Sequence, residues 1–136
     1  MKDQLETDNS GVTSTAPLLI LQFPFDVSSV QADHRHVLVD FAANTWPDIK
    51  DRSLMVVGFT DDTGPQRYND LLALRRADSV AKALRELGID KVKTTAKGKC
   101  CYLSGNETPQ GRANNRRVEI RHFFDHENTR SRSNEH

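Results

Sequence analysis

The stretch Gly58–Ala77, GFTDDTGPQRYNDLLALRRA, decides the fold. It opens where a strand ends. Leu54, Met55, Val56 and Val57 form a short apolar run, partly β-branched, which reads as a buried strand closed by Gly58. A polar loop follows, punctuated by Gly64 and Pro65. A helix is predicted from near Gln66 to about Leu87. An acidic loop, Asp61 and Asp62, thus sits at the end of a buried strand. A helix carrying Arg75 and Arg76 follows at once.

Helical geometry separates the two arginines. At about 100° per residue, Ala73, Ala77, Val80, Leu84 and Leu87 fall within about 40° of one line, the core face. Arg75 lands about 160° away, beside Lys82, Glu86 and Ser79, and is a solvated surface residue. Arg76 lands about 60° from the line, with Asn69 on the same side two turns earlier, so it is expected to be half-buried. An arginine held this way needs an anion, from the protein or from a ligand. Asp61 is one candidate. If both groups open onto a groove, Asp61 suits an ammonium and Arg76 a carboxylate. A zwitterionic amino-acid end fits that pair.

These residues carry a resemblance. Gly58-Phe59-Thr60-Asp61, Gly64, Tyr68-Asn69, Leu72, Arg76-Ala77 and Val80 resemble the OmpA-like peptidoglycan-binding domain, which reads G-H-T-D-x-x-G and then Y-N-x-x-L-S-x-x-R-A-x-x-V. Thr108-Pro109, Gly111-Arg112 and Asn115-Arg116-Arg117-Val118-Glu119-Ile120 resemble its closing N-R-R-V-E-I. The resemblance runs from Leu18 to Phe124, with several motifs in the right order. Phe59 stands where the family has His, and Ala73 where it has Ser. The resemblance implies a ligand-binding set of Asp61, Arg76, Asn69, Thr60, Thr63, Phe59, Asp26 and Leu72. Its implied ligand is the diaminopimelate of the peptidoglycan stem peptide. It implies no catalytic residue, no cofactor and no metal.

The 136 residues suffice for one domain with a real core. Lys plus Arg equals Asp plus Glu, 19 each, which argues against a nucleic-acid partner, since those call for a basic excess. No run reaches the apolar length of a membrane-spanning helix, and the N-terminus has no apolar signal-peptide core. The resemblance nevertheless implies work in the periplasm of a Gram-negative-type envelope, with a membrane tether through an N-terminal part. On that reading the chain is an excised soluble part, or one whose signal or anchor has been removed, and makes no membrane contact itself.

From the start, residues 1–16 are polar and read as a flexible linker. Leu18–Phe25, LLILQFPF, reads as the first strand, with Pro24 placing its end at an edge or bulge. Asp26, Ser28 and Ser29 form a loop. In the family it borders the ligand groove; capping before Val30 is the other reading. Gln31 to about Thr45 is the first helix, with His34, Val37, Leu38, Phe41 and Ala42 tracing one face. His34 and His36 point about 200° apart on a helix and cannot share an ion, so both are read as surface residues. Pro47 stops the helix at Trp46, which is a core or interface lid or, alternatively, a binding aromatic.

After the second helix, Asp78, Lys82 and Glu86 give surface pairing at i, i+4, and Gly88 is the natural C-cap. Ile89–Gly98 contains the third strand. Cys100 and Cys101 are too few for a disulfide framework and are read as loop variation, with a vicinal or intermolecular disulfide as the lesser alternative. Thr108-Pro109 has the form of an N-cap and first helical residue, opening a short helix to about Asn115. Arg116–Phe124 alternates as a half-exposed strand. Arg112, Arg116 and Arg117 either meet a polyanion or ligand carboxylate, or pair with Glu119 and the acidic loops. Residues 125–136 read as a disordered tail.

The predicted fold is α/β, a β-α-β-α-β-(short α)-β two-layer sandwich whose mixed sheet carries its helices on one face. The predicted function is a non-catalytic peptidoglycan-binding module that anchors an envelope protein to the cell wall. Two other classes stand open. An enzyme would use Asp61 and Asp62, but no nucleophile–His set accompanies them. An interaction module would use the same fold to dimerise or to dock another envelope protein.

Overall fold

The computed structural model describes residues 16–98 and 101–123. The expected tail and, Ala16 apart, the expected linker lie outside them, as do Cys100 and Phe124. In chain order the elements are β1 (Leu19–Gln22), α1 (Ala32–Asn44), α2 (Trp46–Ile49), β2 (Ser53–Phe59), α3 (Gln66–Glu86), β3 (Val92–Gly98), α4 (Pro109–Asn115) and β4 (Arg117–Phe123). They form a four-stranded mixed sheet in the order β1-β4-β2-β3.

The apolar run around Leu54 lies in the middle of that sheet. Strand β2 pairs parallel with β3, Val56 opposite Thr94, and antiparallel with β4, Val56 opposite Ile120. Strand β1 pairs antiparallel with β4, Leu21 opposite Val118. Two parallel neighbours need a crossover, which α3 supplies between β2 and β3. Strands β1 and β2 also run parallel, with β4 filed between them, so β1-α1-β2 is a split crossover unit.

The core lies between the sheet and the helices. Leu21, Leu54, Val56, Val118 and Ile120 of the sheet meet Leu38 and Phe41 of α1 and Ala77, Val80, Ala81 and Leu84 of α3. Each fully buried Val or Leu stabilises the fold by roughly 1.5–3 kcal/mol. Small residues let α3 approach closely. A Cβ built on Gly58 would stand 1.9 Å from the Ala73 carbonyl oxygen, so the family's glycine at the strand end is a packing requirement. Gly88, at φ +92°, ends α3 in the left-handed conformation that favours glycine.

Several expectations change at this level. Strand β1 is only four residues long, and β2 runs through Gly58 to Phe59. Leu87 is exposed because it caps α3, where the helical angle no longer holds, while Ala81 and Ala83 are buried. Val37 is exposed too, since α1 buries only the stripe His34, Leu38, Phe41. His34 is therefore not a surface residue. Its Nδ1 accepts the Gln31 N–H (3.0 Å), which places the proton on Nε2 to meet the Gln22 carbonyl, and its ring lies 4.4 Å from that of Phe23. The break after α1 falls at Thr45, and Trp46 begins α2 with Pro47 in its first turn, where a missing N–H costs nothing.

Strand β4 departs most from its half-exposed reading: Arg117 and Glu119 are both buried. The segment between β3 and α4 covers them. Arg117 donates Nε–H to Glu119 (2.8 Å) and Nη2–H to the Cys101 carbonyl (3.0 Å), and its guanidinium lies 3.6 Å from the centre of the Phe59 ring. Arg121 closes the other Glu119 oxygen at 2.8 Å. Cys101 is disulfide-bonded, the alternative that the sequence ranked second. Buried Asn115 fastens the same segment, accepting the Leu103 and Ser104 N–H groups and donating to the Ser104 carbonyl. Thr108 caps α4 as expected, its hydroxyl accepting the Gly111 N–H at 2.9 Å.

Candidate functional site

Three pieces of chain meet where β2 ends: the β1–α1 loop, the β2–α3 loop and the start of α3. The β2–α3 loop is held by its own side chains. Asp61 Oδ1 accepts the Thr63 N–H at 2.9 Å, and Asn69 Nδ2, one turn into α3, donates to the Thr63 carbonyl at 2.9 Å. The first of these is the local Asx bonding that makes Asp a turn residue. It holds Asp61 inward at 3% exposure and leaves Asp62 in solvent.

Arg76 is fully buried rather than half-buried. Its guanidinium donates to three backbone carbonyls: Nε to Val27 (2.8 Å), Nη1 to Phe59 (3.2 Å) and Nη2 to Pro24 (3.1 Å). It also lies 5.5 Å from the centre of the Phe23 ring. Burial, with the nearby charge of Arg116, pushes its pKa down to about 10. The group stays a cation at neutral pH. The direct ionic partner of Asp61 is Arg116, whose Nη1 meets Oδ2 at 3.1 Å while its Nε donates to the Phe23 carbonyl. Of the two readings of the arginine cluster, pairing within the protein thus describes Arg116 and Arg117.

Seven of the eight expected site residues, Asp26, Thr60, Asp61, Thr63, Asn69, Leu72 and Arg76, line one cavity of about 290 Å³. Phe59 is the exception. Its ring packs on Arg117, and it meets the site only through its carbonyl on Arg76. Phe25, Gly64, Pro65, Tyr68 and Arg116 complete the lining and were not in the expected set. Tyr68 was legible as half of the Tyr-Asn motif. Its hydroxyl donates to Asp26, which stands at φ +61°, and that bond to the carboxylate raises the phenol pKa. Phe25 had no signal, being read as the end of a strand; it is 60% exposed at the cavity mouth.

A second lobe of about 480 Å³ adjoins the first, sharing Phe25, Thr63 and Arg116 and adding Asp62, Pro109 and Arg112. Tyr102 stands near it, its phenol pKa raised by burial and by the charges of Asp62 and Asp61. Among the described residues no three His, Cys, Asp or Glu side chains cluster as metal ligands, and no helix is long and apolar enough to cross a membrane. The site offers a buried carboxylate and a buried guanidinium to one small polar ligand. The Asp61 carboxylate retains lone pairs beyond its two bonds, and Arg76 retains N–H groups beyond its three.

Known proteins share this arrangement of chain. Outer membrane protein A of Bordetella avium is 41% identical over 100 residues, which are 72% of this chain and 51% of that protein. The peptidoglycan-binding protein ArfA of Mycobacterium tuberculosis is 35% identical over 95 residues, 68% of this chain and 28% of that protein. The chain therefore spans about half the length of the first relative and less of the second. Among solved structures, the peptidoglycan-associated lipoprotein from Burkholderia pseudomallei superposes with a TM-score of 0.70 at 28% identity, covering 76% of this chain and 88% of that one. The family model described as the OmpA family matches residues 22–116, which takes in all eight expected site residues, and the chain belongs to that family.

Proposed function

We propose that this domain anchors an envelope protein to the cell wall by binding peptidoglycan, and that its cavity grips the free zwitterionic end of diaminopimelate in the stem peptide. The observation that carries this reading is the presence of Asp61 and Arg76 in one cavity. Asp61 accepts the ligand ammonium. Arg76 donates to the ligand carboxylate as a planar fork, a geometry that lysine does not reproduce. Asn69 holds the loop, and backbone N–H groups between Thr60 and Thr63 complete the cradle. The family is non-enzymatic, which supports reading the cavity as a binding site rather than a catalytic one. A relative named as peptidoglycan-binding and a structural neighbour named as peptidoglycan-associated support the ligand class. An outer-membrane relative and a lipoprotein neighbour support an envelope location on the periplasmic side.

The test is an NMR titration with a diaminopimelate stem peptide and with its lysine counterpart, which lacks the carboxylate on the side chain. Shifts at Asp61, Asn69 and Arg76 with the first peptide alone are expected, and their absence with both peptides would overturn the reading. Asp61→Asn should lower affinity at least about tenfold, the scale of one charge-assisted hydrogen bond. Arg76→Lys is the informative partner variant. Arg76→Ala strips three backbone carbonyls, that of Phe59 buried, of their donor and costs about 3 kcal/mol or more of stability, so lost binding there would be ambiguous.

A further inference from the structure

The second lobe is built as part of the same groove. It shares Phe25, Thr63 and Arg116 with the first, so a ligand filling one abuts the other. Its charges are two arginines against one acid, Asp62. Arg116 is partly committed to Asp61. Arg112 is not. Its Nη1 donates to the Asn106 carbonyl at 2.8 Å, and it makes no ion pair among the described residues. That bond, and its place on a helix capped by Thr108, hold a half-buried guanidinium at the lobe with donors to spare.

From this we propose that the second lobe is a carboxylate subsite, in which Arg112, aided by Arg116, binds the free C-terminal carboxylate of the stem residue that follows the diamino acid. The proposal rests on the reading of the first lobe as the diamino-acid site. Its chemistry is that of a planar guanidinium meeting a planar carboxylate. A stem whose terminal carboxyl is joined in an amide cross-link offers no charge there. The domain accordingly binds a stem whose terminal carboxyl is free more tightly than one in which that carboxyl is an amide. Asp62, exposed at the same lobe, repels anions and tempers the preference.

The test compares two tetrapeptide stems on the full 136-residue chain by calorimetry. Both carry diaminopimelate; one ends in a free carboxylate and the other in a carboxamide. The free acid should bind about tenfold tighter, as expected for one charge-assisted pair at a half-exposed site. Arg112→Gln should close that gap, and Asp62→Asn should widen it. Equal binding of acid and amide by the unaltered chain overturns the subsite and leaves the diamino-acid site standing. A gap that persists in Arg112→Gln also overturns it. Binding of neither peptide overturns both readings. Should Arg112→Gln fail to fold, the acid–amide comparison on the unaltered chain decides alone.

Discussion

Arg76 shows how one side chain joins structure and site. Its bonds to Pro24, Val27 and Phe59 tie the β1–α1 loop to the end of β2, while the same group lines the cavity. On the proposed reading, an arginine that is also a strut has little rotamer freedom left to lose when a ligand arrives, which favours affinity. Gly58 works beside it in the opposite way, by having no side chain. Gly58→Ala would place a methyl group 1.9 Å from the Ala73 carbonyl oxygen, and α3 would have to shift away from the sheet. The expected loss is about 2–4 kcal/mol in urea unfolding. A loss under about 0.5 kcal/mol would show that α3 is not held at that distance. The sequence placed Arg76 at the edge of the core from its helical angle alone. It could not show the full burial, because the groups that satisfy the guanidinium are backbone carbonyls, which every residue type carries.

Strand β4 carries its chemistry on a face that alternation describes only in part. The pattern correctly put Val118 and Ile120 on one side and Arg117, Glu119 and Arg121 on the other. A charged face reads as a wet one, and that inference failed because Phe59 and the segment after β3 close over it. Pairing with Glu119 was already one of the two readings of Arg117, and the 2.8 Å bond realises it. Such a pair is costly to break and cheap to replace. Glu119→Ala should destabilise by about 3–5 kcal/mol, since it leaves Arg117 charged and buried. The double variant Arg117→Met/Glu119→Leu should be less destabilised than Glu119→Ala. Guanidinium unfolding of Arg117→Met, Glu119→Leu and the double variant closes the thermodynamic cycle. Additive losses would mean that the two side chains do not act as a pair. Phe59 belongs to the same layer. The resemblance put it among the ligand residues because it fills a motif position, yet its ring supports Arg117.

At the scale of the molecule, element order was legible and sheet order was not. Alternating strands and helices announced an α/β sandwich, but nothing local in residues 117–123 says that the last strand lies between β1 and β2. That place is fixed by long-range pairing, Leu21 with Val118 on one side and Val56 with Ile120 on the other. A consequence follows for folding. Until β4 is in place, β1 has no strand partner, and the core lacks Val118 and Ile120, both fully buried. Each of those side chains stabilises by roughly 1.5–3 kcal/mol. The ladder bonds of β4 to two neighbours add to that, as does the Arg117–Glu119 pair. Together these approach the whole stability of a small domain, about 5–15 kcal/mol. Arg116 leaves with the same segment, and with it the ionic partner of Asp61, so the site disappears together with the fold. A chain ended after Asn115 should therefore remain unfolded although it keeps seven of the eight elements and every expected site residue. Its amide proton spectrum should collapse to the narrow range of an unfolded chain, and a synthetic peptide spanning 116–123 should restore dispersion when added in excess. A well-dispersed spectrum from the shortened chain alone would show that β1, β2 and β3 close a sheet without their central strand, and that the split crossover is not what makes folding all-or-none.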